Sequence, residues 1–368
     1  MMSTEVMSRG PLAASREIIN VTGWDVLARV LETHVPSALK IDKYVTPVWC
    51  VIGILGNVFS AKVWALRRMR KCNSSALYLV SLAITDITFL VLHVFYELQY
   101  PWKKGVLDLP VWCPVWNVMY MMSQYTCVFL VMTFTCERFL SVCHPFESDT
   151  LSSSSRPPKI ILSMLLLALL LALPQAYFWE INPGNRECQL RTKETIETFY
   201  LVWNWSSEMA MFAVVPVVVL VLNICVLRQI KSVRKQFIDD VVIRNKTVRC
   251  ATTTFTLLCI SFYLIFTKLP VTIVFAVQTN MQLGRAMTID DMATDDAWQA
   301  YFNYFLIRKI VEEIGISHHA CNVFIYYATS HLFRKHSKEA VHWRMCDYVN
   351  RPTRQRRSGR CTDRCFVK

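Results

Sequence analysis

The stretch TCERF at residues 135–139 closes a long apolar segment that begins near Cys113. A bilayer core about 30 Å thick needs roughly 20 apolar helical residues to cross it, and residues 113–136 meet that length. Glu137 and Arg138 then lie at one membrane surface, where charges are far less costly than in hydrocarbon. This charge pair at the end of a span is therefore a candidate functional site.

The composition indicates a membrane protein with several spans. Hydrophobic residues make up 54% of the 368 positions and charged residues only 18%, which is too apolar for an ordinary soluble chain of this length. The net charge of +13 would also fit a nucleic-acid-binding protein, but Lys and Arg concentrate in short segments beside apolar stretches. That distribution is typical of cytoplasmic loops, so we expect no nucleic-acid partner.

Apolar windows predict seven spans, at residues 44–67, 75–99, 111–143, 159–180, 198–230, 249–277 and 300–328. The predicted fold is therefore an all-α membrane protein, a seven-transmembrane helix bundle. Residues 331–345 carry apolar positions among Arg and Lys, which predicts a short cytoplasmic amphipathic helix on the lipid bilayer after the seventh span. We expect 1–43 to be an extracellular segment, 44–330 the spanning domain and 346–368 a basic, disordered cytoplasmic tail.

The charges of the loops predict the orientation. Basic residues crowd the loop between the first two spans and the loop between the fifth and sixth, which marks both as cytoplasmic. The segment 285–296 is acidic and fits the outside. We therefore expect a plasma-membrane protein with its amino terminus outside and its carboxyl terminus inside. We see no cleaved signal peptide; Asn20 stands in a glycosylation sequon, and Cys346 is a palmitoylation candidate or a free thiol.

Polar motifs follow one another in a fixed order along the spans. They are Gly56-Asn57 in the first span, LAITD at 82–86 ending in Asp86 in the second, Pro216 in the fifth, Pro270 in the sixth and NVFIY at 322–326 in the seventh. With TCERF, they resemble the motifs of rhodopsin-like G-protein-coupled receptors, which read Gly-Asn, Leu-Ala-x-x-Asp, Asp/Glu-Arg-Tyr and Asn-Pro-x-x-Tyr. The resemblance covers residues 44 to about 343.

The resemblance implies roles for these residues. Glu137 would pair with Arg138 at rest, and Arg138 would be released toward a heterotrimeric G protein when the sixth span moves outward. Asn322 and Tyr326 would belong to the same switch. Polar side chains inside a membrane must form hydrogen bonds with one another, because water is absent there. The bundle centre would hold three such side chains: Asn57, Asp86 and Asn322.

Several positions depart from the family pattern. Val323 replaces the proline of the seventh-span motif, so the usual kink there has no proline to produce it. Lys268 stands two residues before Pro270, where a tryptophan is usual, and Phe139 replaces the tyrosine of the third-span motif. Sodium binding beside Asp86 stays open, because Cys127, His318 and His319 replace small polar groups that the family usually has there, and we expect no metal site and no cofactor.

Two of the 14 cysteines stand apart from the others. Most lie within spans as small apolar residues, whereas Cys113 opens the third span and Cys188 lies in the outer loop after the fourth. Both face an oxidising compartment in this topology. We expect a disulfide between them that holds the loop over the bundle and restricts the unfolded chain.

Two positions narrow the ligand class. The resemblance places an aspartate eighteen residues before the third-span arginine in amine receptors, and this chain has Tyr120 there. Opsins carry a lysine six residues before the seventh-span asparagine, where this chain has Ile316. Neither a biogenic amine nor retinal is therefore expected. The outer halves of the spans are instead acidic, with carboxylates at Glu97, Glu208, Glu312 and Glu313.

Carboxylates buried in a helix bundle need partners. The chain's own candidates are Lys268, Arg308 and Lys309. A pair between Lys268 and Glu313 is one option, whereas Glu97 and Glu208 have no obvious basic neighbour in their own helices. The surplus of acid favours an arginine-bearing ligand. Aromatic side chains at the same end form either a membrane-interface belt or the walls of a ligand site.

Residues 317–335 also resemble a narrower group, the invertebrate FMRFamide and myosuppressin receptors, which recognise short peptides ending in Arg-Phe-amide. Such an extracellular peptide ligand needs a carboxylate for the guanidinium, an apolar slot for the phenyl ring and neutral hydrogen bonds for the amide. The predicted ligand-binding residues are Glu97, Tyr120, Gln124, Glu208, Phe275 and Glu312.

Three other functions compete with this interpretation. A peptide receptor that does not couple to a G protein stays open because of the departures above. A secondary transporter would also bury ionisable residues, but the two halves of the chain show no similarity. An enzyme is not expected: a metal site at His318, His319 and Cys321 would need ligands on one face, and adjacent helical residues point about 100° apart.

Overall fold

The computed structural model describes residues 24–66, 75–144, 156–184, 186–191, 194–236, 241–278, 281 and 283–338. Four sequence-based predictions lie outside these residues: the sequon at Asn20, the palmitoylation candidate Cys346, the basic loop at 67–71 and the tail 346–368. They stay predictions.

Long helices make up most of the described chain. In chain order the helices and strands are α1 (Trp24–His34), α2 (Pro36–Ala65), α3 (Ala76–Gln99), α4 (Trp112–Cys143), α5 (Arg156–Ala172), α6 (Gln175–Phe178), β1 (Trp179–Ile181), β2 (Cys188–Leu190), α7 (Glu194–Met209), α8 (Val215–Gln236), α9 (Val241–Gln278), α10 (Ile289–Met292) and α11 (Asp296–Thr329). A π-helical turn at Ala210–Val214 joins α7 to α8, and residues 331–338 form α12.

Six segments are long and apolar enough to cross a membrane. They are α2, α3, α4, Arg156–Phe178, Thr198–Ser232 and Phe255–Gln278. The seventh long helix is α11, whose apolar sequence is interrupted by four charged residues between 308 and 313. The predicted seven-helix bundle, with a short helix after the last span, is confirmed.

The first spanning helix is longer than the hydropathy predicts. It begins at Pro36 rather than at residue 44, and proline suits the first turn of a helix because the N–H groups there have no partner inside the helix. The apolar window missed this part because Lys40, Asp42 and Lys43 lower its hydropathy. Asp42 is nevertheless buried, since it faces α11.

The predicted amino-terminal segment contains a helix that the sequence analysis did not identify. Val30 and Leu31 of α1 are fully buried in a cluster with Trp298 and Phe302 of α11. The ring of His34 stacks on Phe302 with 4.8 Å between centroids. These contacts fix α1 to one end of α11, so the amino-terminal part of the described chain belongs to the bundle.

The predicted disulfide is confirmed, because Cys113 in α4 is bonded to Cys188 in β2. β2 pairs antiparallel with β1, with Trp179 opposite Leu190. The backbone N–H of Cys188 also donates to the Asp108 carboxylate at 2.8 Å. The hairpin is thereby fixed beside α4. We call this end of the bundle the disulfide end, and the opposite end, which carries Arg138, the arginine end.

Loss of the disulfide is expected to lower stability. The bond joins residues 75 positions apart. The substitution Cys188→Ser removes it and so raises the chain entropy of the unfolded state, which should lower the free energy of unfolding by about 2–4 kcal/mol. Thermal unfolding of the purified protein measures the loss. Cys259→Ser changes a free cysteine and should unfold close to wild type; equal midpoints for the two variants would contradict the expectation.

Pro216 ties two spans together. Proline has no N–H, so the carbonyl of Phe212, four residues earlier, has no helical partner. That carbonyl lies 3.3 Å from the Thr272 hydroxyl of α9, which also contacts the carbonyl of Lys268 at 3.0 Å. The π-helical turn contains Phe212. The carbonyl that Pro216 leaves without its α-helical donor thus contacts a hydroxyl of α9.

α11 runs unbroken through Val323 to Thr329, as the absence of a proline there allows. It packs closely on α2 at Gly53. A Cβ added to Gly53 would lie only 2.9 Å from the Cα of Ala320 in α11, so the close approach needs a glycine there. At its end, Arg334 of α12 donates to the carbonyl of Tyr327 at 2.7 Å and satisfies part of the last turn.

Candidate functional site

A cavity of about 280 Å³ lies among the spans at the disulfide end. Its volume is close to the lower limit of small-ligand sites, roughly 300–1,000 Å³. The structure brings all six predicted ligand-binding residues to its wall: Glu97, Tyr120, Gln124, Glu208, Phe275 and Glu312. The lining also holds Asp42, Lys268, Arg308 and Lys309. Four carboxylates thus face three cationic side chains.

Two of the carboxylates are neutralised within the protein. Lys309 of α11 lies 2.7 Å from Asp42 of α2 and 3.0 Å from Glu312, and Arg308 lies 2.6 Å from the other oxygen of Glu312. The four side chains form one network with balanced charge. Glu312 was predicted to meet the ligand directly, but its two oxygens are already paired.

The two other carboxylates have no Lys or Arg partner in the described part of the chain. Glu97 is buried and lies 3.7 Å from His93 Nε2, while its second oxygen makes no hydrogen bond there. Glu208 lines the cavity and has neither an ion pair nor a hydrogen bond among the described residues. These are the two residues that the sequence analysis left without a basic neighbour, although His93, one turn before Glu97, was overlooked.

Lys268 does not pair with Glu313, so that option is wrong. Its ammonium lies 3.3 Å from His319 Nε2 and over the rings of Phe89 and Phe212, at 5.8 and 5.6 Å from their centroids. No carboxylate lies within ion-pair distance of it in the described chain. Glu313 instead accepts a hydrogen bond from the Thr46 hydroxyl.

The aromatic side chains divide between the two roles that the sequence left open. Tyr120 and Trp116 stack in the cavity wall with 4.8 Å between their centroids. Arg308 covers Phe275 at 5.2 Å. Trp102 and Trp205 are instead 41% and 51% exposed, as in a membrane-interface belt.

A phenol at the rim of the cavity is held neutral. Tyr100 lies one residue beyond α3 and lines the cavity. Burial raises the pKa of its hydroxyl above the usual range, because the charged form is poorly solvated there. Tyr100 is neutral at physiological pH even without this shift, so it meets a ligand as an uncharged hydrogen-bonding group.

A buried polar cluster lies beneath the cavity. Asp86 accepts from Asn322 Nδ2 at 2.8 Å and from His319 Nδ1 at 2.7 Å. The sequence analysis expected Asn57 to contact Asp86, but it does not. Asn57 instead donates to the backbone carbonyls of His319 at 2.7 Å and Gly53 at 2.9 Å. The missed member is His319, which takes the place that the analysis gave to Asn57.

His319 connects the cavity to this cluster. A neutral imidazole with its proton on Nδ1 donates to Asp86 and accepts from the Lys268 ammonium at Nε2, so one tautomer satisfies both contacts. Asp86, Cys127 and His319 place ligand-type atoms within 4.8 Å of one another. Both ring nitrogens of His319 already bond to Asp86 and Lys268. We therefore assign these groups to hydrogen bonding within the protein.

At the arginine end, both residues of the charge pair bind α3. The Glu137 carboxylate accepts from the Tyr78 hydroxyl at 2.6 Å, and Arg138 donates to the Ser75 hydroxyl. No ion pair joins Glu137 to Arg138 within the described residues, so the expected resting pair is not the arrangement found. No sequence motif identifies Tyr78 or Ser75 as partners of the charge pair.

The last residue of the predicted switch packs in an aromatic cluster. Tyr326 is fully buried, with its ring centroid 5.5 Å from those of Trp64 and Phe333. Its hydroxyl makes no hydrogen bond in the described chain. Phe333 belongs to α12, so the short helix is joined to α11 and α2 by this cluster.

This combination of seven spans, a disulfide-fixed hairpin over an acidic cavity and a polar core defines a class of membrane receptor. Residues 56–331 match the family of 7 transmembrane receptors of the rhodopsin type, and the chain belongs to that family. The predictions of a receptor, and not an enzyme, are confirmed.

Several receptors named for peptides are similar to this chain. The pyrokinin-1 receptor of Drosophila melanogaster is 31% identical over 42% of this chain, and the human neurotensin receptor type 1 is 30% identical over 42% of it. These matches cover only 36% and 35% of the two relatives. The human C-C chemokine receptor type 1 is 25% identical over 81% of this chain and 79% of its own length.

Proposed function

We propose that this chain is a plasma-membrane receptor that binds a short extracellular peptide with an arginine side chain and activates a heterotrimeric G protein. The observation that carries the proposal is the pair of carboxylates, Glu97 and Glu208, that face the cavity without a Lys or Arg partner. A guanidinium supplies the missing positive charge and donates to carboxylate oxygens in a planar fork.

An Arg-Phe-amide terminus suits the rest of the wall. The guanidinium is placed at one of the two unpaired carboxylates, Glu97 or Glu208, and the phenyl ring packs against Tyr120 and the aromatic wall beside it. Gln124 makes only a long contact to Met121 Sδ, at 3.7 Å, so its amide is available to the peptide amide. The relatives that are pyrokinin and neurotensin receptors support a peptide as the ligand class.

The orientation belongs to the same proposal. The disulfide end is placed outside for two reasons. A disulfide persists in an oxidising compartment, and the residues in and beside α10 are acidic, at Asp290, Asp291 and Asp295, whereas cytoplasmic loops are rich in Lys and Arg. The arginine end, with Arg228 and Lys231 of α8, is placed in the cytoplasm by the charge rule for loops. The predicted amphipathic helix, as α12, then lies on the inner leaflet.

Lys268 is the proposed route from ligand to switch. It lines the cavity and reaches His319, which binds Asp86. A ligand acceptor that draws the ammonium toward the cavity removes one hydrogen bond from His319. The polar core then has a different stable arrangement with ligand than without it, which is what a two-state receptor needs.

The double variant Glu97→Gln and Glu208→Gln tests the ligand site. Each charge-assisted hydrogen bond is worth about 1.5–3 kcal/mol, so the half-maximal concentration of an Arg-Phe-amide peptide should rise roughly 100-fold or more. A peptide with citrulline in place of arginine should lose a similar factor on wild type. On the double variant, exchange of arginine for citrulline should change little, because the partners are already absent.

Glu180→Gln is the matched control. Glu180 is paired with Arg191 on the hairpin at 3.0 Å and does not line the cavity, so this variant should respond as wild type does. Staining of an amino-terminal tag on intact cells checks surface expression and orientation. A full response from the double variant at normal surface expression would contradict the proposal.

A further inference from the structure

Two cations of the cavity wall are matched by carboxylates of the same wall. Lys309 lies 2.7 Å from Asp42, and Arg308 lies 2.6 Å from Glu312. Because two positive charges meet two negative charges here, this network leaves no charge for a ligand to compensate.

The third cation of the wall is matched beneath the cavity. Lys268 lies 3.3 Å from Nε2 of His319, and Nδ1 of the same ring donates to Asp86 at 2.7 Å. One positive and one negative charge are thus joined through a neutral imidazole. The described part of the cavity wall holds no further Lys or Arg. Two carboxylates, Glu97 and Glu208, therefore remain, and each one needs a positive charge from the ligand.

These two carboxylates, one on α3 and one on α7, lie on different flanks of α4. On one flank, His93 stands one turn before the α3 carboxylate and contacts the Tyr120 hydroxyl at 2.9 Å. On the other flank, Ser207 precedes the α7 carboxylate and bonds to the Tyr125 hydroxyl at 3.1 Å. Residues five apart on a helix point about 140° from each other and lie about 7.5 Å apart along its axis. One guanidinium therefore meets one of the carboxylates, and the other needs a second cationic group.

The surroundings of the two carboxylates favour different cations. Glu97 is buried, and Nε2 of His93 stays 3.7 Å from it, beyond hydrogen-bond distance. It lines the cavity together with the stacked rings of Tyr96 and Tyr120. A guanidinium suits this place because it is weakly hydrated and stacks on aromatic rings. Glu208 is only half-buried, which suits a primary ammonium, a compact and strongly hydrated cation.

We infer that the ligand carries two cationic groups: an arginine guanidinium that binds Glu97 and a primary ammonium that binds Glu208. The ammonium is either a free amino terminus or a lysine side chain. This inference rests on the proposed peptide function and adds a second cation subsite to it. Glu208 then selects peptides with an ammonium over peptides that carry arginine alone.

The coupling of each carboxylate to each ligand charge tests the inference, with the second-messenger response of cells that express the full chain as the readout. The probes are Phe-Met-Arg-Phe-amide, its citrulline form and its amino-terminally acetylated form. On wild type, citrulline should raise the half-maximal concentration roughly tenfold or more, as expected for loss of a hydrogen bond between charged groups. On Glu97→Gln, citrulline should change little, whereas on Glu208→Gln it should keep its full effect.

Two acetylated peptides identify the source of the ammonium. Acetylated Lys-Met-Arg-Phe-amide differs from acetylated Phe-Met-Arg-Phe-amide by a lysine side chain. A gain of roughly tenfold from this lysine on wild type, absent on Glu208→Gln, assigns the subsite to a lysine. A similar loss on acetylation of Phe-Met-Arg-Phe-amide, absent on Glu208→Gln and not repaired by the lysine, assigns it to the amino terminus.

Glu180→Gln is again the control, because Glu180 is paired with Arg191 and does not line the cavity. Each ligand change should cost the same there as on wild type. The inference is overturned if Glu208→Gln alters the effect of neither acetylation nor lysine while Glu97→Gln still cancels the effect of citrulline. It is also overturned if both variants cancel the effect of citrulline, since one guanidinium would then serve both carboxylates. No effect of citrulline on wild type would contradict the proposed function itself.

Discussion

Arg138→Ala is expected to abolish the second-messenger response while ligand affinity stays within roughly a factor of three of wild type, a change under about 0.7 kcal/mol. Arg138 lies at the arginine end and bonds to Ser75 at the start of α3. The ligand cavity is at the other end of α4, so the change does not touch its wall. The proposed role of Arg138 is to contact the G protein, and alanine cannot supply that contact.

Lys335→Ala is the control for charge at the same end. Lys335 is an exposed residue of α12, so its removal changes the net charge equally without touching α4. This variant should keep most of the response. Binding of a labelled peptide to cells that express either variant separates affinity from coupling. A normal response from Arg138→Ala would contradict the role given to Arg138.

His319→Ala is expected to cost about 3–5 kcal/mol of stability, the usual loss when one partner of a buried charged network is removed, and to abolish the response. His319 is fully buried and bonds to both Asp86 and Lys268. Alanine leaves a carboxylate and an ammonium without this partner. Thermal unfolding and a second-messenger assay measure the two losses.

His318→Ala is a closely matched control, because His318 is the neighbouring residue and is also fully buried. Its polar contact is with the thiol of Cys127, at 3.5 Å, its ring packs beside that of Tyr263, and its Nδ1 has no hydrogen-bond partner in the described chain. Its removal should cost mainly packing and leave the response detectable. Equal losses in the two variants would show that the link from Lys268 to Asp86 has no special role.

The spans were predictable because each is a long run of apolar residues, and the motifs were predictable because they are local in sequence. The disulfide followed from topology alone, since Cys113 and Cys188 are the pair placed on one side of the membrane. The six residues predicted to bind ligand also converge on one cavity, because they occupy the same end of their helices.

Side-chain partners were less predictable, because they depend on how each helix is rotated. Lys268 faces His319 rather than Glu313, and the network of Asp42, Lys309 and Glu312 joins helices far apart in sequence. Asp42 was hidden because the first helix begins before its apolar window. The helix α1 was missed because its 11 residues are too few for a membrane span, and its apolar positions are explained only by their packing against α11.

The most direct test of the account is a second-messenger assay in cells that express the full chain at the surface. Short amidated peptides are compared with their citrulline analogues and with biogenic amines. The account predicts a saturable response to an Arg-Phe-amide peptide, a large loss with citrulline and silence with amines. Silence toward every arginine-bearing peptide, despite surface expression, would contradict it.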